Sequence, residues 1–188
     1  MTGRGDMAGK GYLVDLTRRG EPVIPTVASW EDLDRLPASD RYVVKPAAGA
    51  DSIGLEVIDR DQLPTRTGAG SLIQPWIELR DEVSFYFVDD AFQDALYAPD
   101  PQRRWALETD EPSPDDLVFA RRFIELNTLE HGIQRVDAGR TRNGDLLLIE
   151  LEDHNPFLSL DLLTEQVQEA FVAATIDSLL RFVATAAR

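Results

Sequence analysis

Asn143-Gly144 stands between two apolar-rich runs within Ile133 to Asp161, IQRVDAGRTRNGDLLLIELEDHNPFLSLD. It is the strongest short-range signal a sequence can carry for a hairpin with a two-residue turn. Such a turn sets Arg142 opposite Asp145, which carries Asp137 opposite Glu150 and Arg135 opposite Glu152. Directly opposed side chains lie roughly 5 Å apart, and like charges so placed repel. The other face of the ribbon reads Val136, Ala138, Leu147, Ile149 and Leu151, which suits a core. One face is therefore expected to be buried while the other gathers three carboxylates and an arginine. A cation bridging the carboxylates would relieve the repulsion, and oxygen ligands suit Mg²⁺ better than Zn²⁺. Asn155 offers one more oxygen just beyond the strand. On a fully exposed hairpin the same residues would be solvated side chains, with Arg135–Glu152 a surface ion pair of little consequence. A single bulge would displace the pairing.

Composition narrows the classes of partner. The 188 residues suffice for one domain or two small ones with a sizeable core. The net charge of −15, from 34 acidic and 19 basic residues, argues against nucleic acid and anionic membranes as partners. It leaves a nucleotide open, since a few local cations suffice for its phosphates. The absence of cysteine excludes disulfides, thiolate metal sites and thiol catalysis. Two histidines, His131 and His154, are too few for most zinc sites. With no apolar run of about 18 residues and no apolar signal core at the N-terminus, a cytoplasmic location is the default expectation.

Along the chain, Gly9-Lys10 does not complete a phosphate loop, because Arg4 stands where the first glycine is needed. Lys10 to Arg19 reads as a short helix ended by Gly20. Ser29 with Asp32 reads as a capping-box variant. Tyr42 to Lys45 is expected as a strand, Ala47 to Gly54 as a small-residue loop and Leu55 to Ile58 as the return strand. A lysine at a strand end beside such a loop can grip phosphate. Ser71 to Ile77 is an apolar strand interrupted by Pro75, hence an edge strand or a crossover. Glu82 to Tyr97 is a hairpin around Asp89-Asp90. Ser113-Pro114-Asp115-Asp116 opens an amphipathic helix running to about Leu129. Leu160 to Ala187 is expected as one long helix with an inward stripe of Val167, Phe171, Ala174, Leu179, Phe182 and Val183.

The sequence RVDAGR, a hairpin and then IELEDHNP resembles the C-terminal metal-binding signature of the ATP-grasp ligases, the superfamily of glutathione synthetase, D-alanine–D-alanine ligase and the ribosomal-modification amino-acid ligases. The resemblance implies that Asp137, Glu150 and either Glu152 or Asn155 hold two Mg²⁺ ions, with Mn²⁺ an alternative. It implies that Arg135 acts at the phosphoryl-transfer or acyl-phosphate step. The segment from Lys10 through Tyr12, Leu13, Leu16, Gly20, Pro22, Pro25 and Thr26 is similar to the superfamily's opening, whose lysine reaches nucleotide phosphates. Val43-Val44-Lys45-Pro46 and its loop are similar to the element whose lysine binds the α- or β-phosphate. Gln74, Pro75, Trp76 and Ile77 match the hinge that holds adenine, with Glu78 or Glu82 reaching the ribose. Glu82, Ser84 and Ala95 fit the following strand pair, whereas Asp94 replaces the usual histidine. Arg103 or Arg104 corresponds to an arginine near phosphate or the acceptor complex.

The expected fold is therefore α+β, an ATP-grasp fold of two small α+β subdomains, residues 1–70 and 71–188, clamping a nucleotide between antiparallel sheets. The expected activity is ATP- and Mg-dependent carboxylate–amine ligation through an acyl phosphate, on an amino acid or small peptide. Ligases of this kind carry a further N-terminal α/β domain, and this chain is expected to start after it. The alternative is thus a truncated ATP-binding module or remnant that needs a partner, either a second copy in a homo-oligomer or a chain supplying that domain. A third reading is an interaction domain whose carboxylates are merely exposed.

Overall fold

The structure, a computed structural model, describes residues 3–48, 53–63, 70–100, 102–103 and 105–186. The chain divides into two compact units, Ala8–Glu78 and Met1–Met7 with Leu79–Arg188. The sequence-based division at residue 70 falls before the strand Ser71–Pro75, and the observed one falls after it.

The smaller unit holds a three-stranded antiparallel sheet of β1 (Arg41–Pro46), β2 (Glu56–Asp59) and β3 (Ser71–Pro75), in the order β2-β1-β3. Pro75 lies on an edge strand, where its missing N–H costs no ladder bond. Tyr42, Val44, Ile58 and Ile73 bury together with Val27, Leu36 and Leu63. Helix α1 (Tyr12–Arg18) buries Leu13, Val14 and Leu16, so Lys10 precedes the helix. The segment expected to be capped by Ser29 and Asp32 is a 3-10 helix, Trp30–Arg35. The Ser29 hydroxyl accepts from the Glu31 N–H, one residue short of the position a capping box requires.

The larger unit is a five-stranded antiparallel sheet in the order β6-β5-β4-β7-β8. Its strands are β4 (Leu79–Val88), β5 (Ala91–Ala98), β6 (Glu108–Thr109), β7 (Ile133–Thr141) and β8 (Leu146–Asp153). Helix α2 (Pro114–Asn127) begins at a complete capping box of Ser113 and Asp116 and packs on β7 and β8. Helix α3 (Glu165–Ala186) packs on β4 and β5, with Phe171 entering a cluster of Tyr86, Val88, Leu96 and Leu163. It starts at Glu165, not Leu160, because Leu160–Leu162 form a separate 3-10 turn. Only part of its expected inward stripe faces in. Val167, Phe171 and Ala174 pack, whereas Leu179, Phe182 and Val183 are exposed.

The β7–β8 hairpin departs from expectation twice. Thr141 N–H donates to Asp145 O and Arg140 pairs with Leu146, so the connection has three residues, Arg142 to Gly144, with Gly144 at φ +95°. A three-residue loop with glycine in the left-handed region is the next favoured hairpin after the two-residue type. The ladder is also irregular between Asp137 and Ala138, where Ile149 is an extra residue in β8. The two irregularities cancel, so Asp137 pairs with Glu150 and Arg135 with Glu152. Between tip and bulge, however, the alternation is inverted. Leu146 and Leu148 are buried in place of the expected Leu147 and Ile149.

Candidate functional site

The centre of the sheet aligns polar residues from successive strands on one face. One row runs Asp94 on β5, Tyr86 on β4, Arg135 on β7 and Glu152 on β8, each opposite the next. The neighbouring row contains Ser84, Asp137 and Glu150. Alternation along each strand sends Val83, Phe85, Val136, Ala138 and Leu151 into the core, and this leaves the polar set on the opposite side.

Arg135 organises this face. Its Nε and Nη2 donate to the two oxygens of Asp137, both at 2.8 Å, and Nη2 also lies 3.0 Å from a Glu152 oxygen. Nη1 donates to Phe157 O at 2.9 Å, a carbonyl that also accepts from Tyr86 Oη. The Ser84 hydroxyl donates to Asp137 Oδ1 at 2.6 Å. Asp137 is thus held by a fork of charge-assisted bonds whose planar geometry a lysine could not supply.

Electrostatics separates the carboxylates. Glu152 is pushed up to about 7, chiefly by burial and further by Asp137, Glu150 and Asp6; Arg135 offsets this only in part. Arg135 itself is raised, because Asp137 and Glu152 outweigh the burial that would lower it. Both shifts are upward, which favours the neutral form of Glu152 and the charged form of Arg135, because the guanidinium is shared and Asp137 takes its bidentate side. Burial also pushes the Tyr86 phenol up to about 12. The face therefore carries more carboxylate than its arginine neutralises.

Asp6, Glu150 and Glu152 each offer an oxygen, and these oxygens lie within 4.8 Å of one another. A set of hard, half-buried oxygen donors fits Mg²⁺. Sequence reasoning missed Asp6, which arrives from a glycine-rich segment without pattern. That segment is anchored in the same unit. Asn127 Oδ1 accepts from the Arg4 and Gly5 N–H groups, and a Cβ at Gly3 or Gly5 would collide with Asp153 or Leu151. Ser84 and Tyr86 were also missed as neighbours of the arginine, for they become so only through the β4–β7 pairing. Asn155 is exposed, with its N–H donating to Asp153 O. Glu82, half-buried, pairs with Gly139.

The remaining expected residues lie in the smaller unit. Lys10 and Lys45 are both buried, and the Lys10 N–H donates to Ala47 O, which puts Lys10 beside the end of β1. Gln74 is buried with its amide donating to Thr26 Oγ1 at 2.9 Å. Pro75 is opposite Tyr42. Trp76 is partly exposed under the Arg41 guanidinium at 4.7 Å, and its N–H donates to Arg41 O. Ile77 is half-buried and Glu78 exposed. Arg103 forms an exposed ion pair with Asp100, while Arg104 and part of the loop after Lys45 (49–52) lie outside the described residues.

No protein-family model matches the chain, and no curated protein does. Solved structures do. D-cycloserine synthetase DcsG aligns over 88% of this chain and 69% of its own length, with a TM-score of 0.66 at 23% identity. The ATP-grasp ligase PsnB, complexed with precursor peptide PsnA2 and AMPPNP, aligns over 90% of this chain and 59% of its own, at 0.65 and 22%. D-alanine–D-alanine ligase from Bacillus anthracis aligns over 93% and 67%, at 0.66 and 16%. The chain thus spans roughly three-fifths to two-thirds of these proteins. It has the ATP-grasp fold.

Proposed function

We propose, from an ATP-grasp fold with this acidic face, that the chain takes part in ATP- and Mg²⁺-dependent ligation of a carboxylate to an amine, the carboxylate belonging to an amino acid or small peptide. The observation that carries the reading is the paired rows Arg135–Glu152 and Asp137–Glu150. Asp137 and Glu150, opposite one another, with Glu152 or Asn155, would hold Mg²⁺. The ion would neutralise charge on the triphosphate and on the transferring phosphoryl group. Lys10 and Lys45 are assigned to the nucleotide phosphates, and Gln74 to Ile77 with Glu82 to its adenosine part.

In the proposed reaction a carboxylate oxygen attacks the γ-phosphorus and the bond to the β-phosphate oxygen breaks, which releases ADP. The amine then attacks the acyl carbon, inorganic phosphate leaves and the amine loses a proton. Arg135, charged at every working pH, holds Asp137 in place and presents positive charge where the acyl phosphate develops. Low accessibility at Arg135 and Glu152 keeps that charge from being screened by water.

A second reading is an ATP-binding module or remnant that needs a partner for catalysis. Calorimetry with AMPPNP and Mg²⁺ tests the shared step, and weakened binding in Glu150→Gln is expected. ADP release over an amino-acid panel separates the two readings. A chain that binds no nucleotide with Mg²⁺ would refute both.

A further inference from the structure

We propose that the outer face of α3 is the seat of a second copy of this chain, packed antiparallel across a two-fold axis. The helix is apolar on two sides. Its inner side, with Phe171 and Ser178 buried, is fixed to the sheet. Asp89 accepts from Ser178 Oγ at 2.5 Å and from Arg181 Nη2 at 2.7 Å. Its outer side, roughly 140° around the axis at 3.6 residues per turn, carries Val172, Ile176, Leu179, Leu180 and Val183. Ile176 is 51% exposed, Leu179 57%, Leu180 63% and Val183 62%. A helix apolar on both sides is one with both sides covered.

Three features select a second copy as the cover. Val172, Ile176, Leu179 and Val183 follow one another at four, three and four residues, the spacing of a seam between two helices. Ala173, Leu180 and Phe182 flank it, so no like charges meet across a self-pairing. Elsewhere a chain of net charge −15 repels its copies. Here the charged residues between Val172 and Ala186 are Asp177 and Arg181, and both project away from the stripe. Glu165 and Glu169 continue the stripe at its N-terminal end. A parallel pair would set them against their own copies, whereas an antiparallel pair sets Glu169 beside Ala186.

In the antiparallel seating Ile176 of one copy meets Leu179 of the other. Sedimentation equilibrium of the full chain is expected to give twice the chain mass of 21.0 kDa at micromolar concentrations. Ile176→Glu and Leu179→Lys should each give monomer with an unchanged far-UV circular dichroism spectrum. Mixed in equal amounts, the two variants should recover the dimer, because the carboxylate introduced in one then faces the ammonium introduced in the other. A wild-type chain that stays monomeric, a dimer that survives in both variants, or a mixture that fails to pair would overturn the proposal.

Discussion

Asp94 is a carboxylate with nothing to do in the resting fold. It is 8% exposed on β5, and neither oxygen has a hydrogen-bond partner among the described residues. Burial pushes its pKa from 3.8 to about 6. A carboxyl raised in the folded state binds more protons folded than unfolded between those values. Stability is therefore expected to fall as pH rises from about 4 to about 6 and to stay reduced above that. At ~1.4 kcal/mol per pH unit the loss is at most about 3 kcal/mol, and partial solvation brings the working range to about 1–3 kcal/mol. Asp94→Asn removes the charge and leaves an equally unpartnered amide. It should match wild type near pH 4 and exceed it by about 1–3 kcal/mol at pH 8, or roughly 3–10 °C in Tm for a chain of this size. Urea unfolding followed by circular dichroism at pH 4, 6 and 8 measures both limbs. Equal pH slopes for the two proteins, or a variant less stable at pH 8, would show that the carboxylate has a counter-charge and refute the reasoning.

Other outcomes follow from the same geometry. Arg135→Lys cannot bridge Asp137, Glu152 and Phe157 O at once, so ADP release should fall at least about 100-fold while nucleotide binding weakens far less, as steady-state kinetics and calorimetry would show. Glu150→Gln should weaken Mg²⁺ at least about 10-fold in titrations with AMPPNP present. Asp89 is held below the usual carboxylate range; burial opposes this, but hydrogen bonds from Ser178, Arg181 and Gly132 prevail. Its contribution is present above the unfolded pKa and lost as pH falls through the lowered one. Asp89→Asn should therefore cost about 1–2 kcal/mol at pH 7, with the gap from wild type closing in acid.

The elements and the acidic rows were legible because local signals stated them: a turn dipeptide, an N-cap followed by proline and acids at Ser113, and alternation along β7; the fold as a whole was expected from the resemblance. The hairpin shows why such legibility is partial. Its tip took the three-residue form and Ile149 absorbed the slip, and no local preference distinguishes that pair of compensating choices from a regular ribbon. Ser84 and Tyr86 join the site through a pairing between strands some fifty residues apart, and Asp6 through contacts spanning most of the chain. Sequence periodicity holds no record of either. The misread half of α3 has a different cause. Apolar spacing announces that a helix face is covered without saying by what.

The extra residue at Ile149 uncouples the length of the ribbon's tip from the alignment of its base. Leu148 and Leu151 on either side of it already point inward. Excising Ile149 would thus straighten β8 yet leave Glu150 facing Asp137, and loops of other lengths could be grafted between Thr141 and Asp145 without moving either acid. The hairpin end is a place where the chain can be edited freely while its chemistry stays in step.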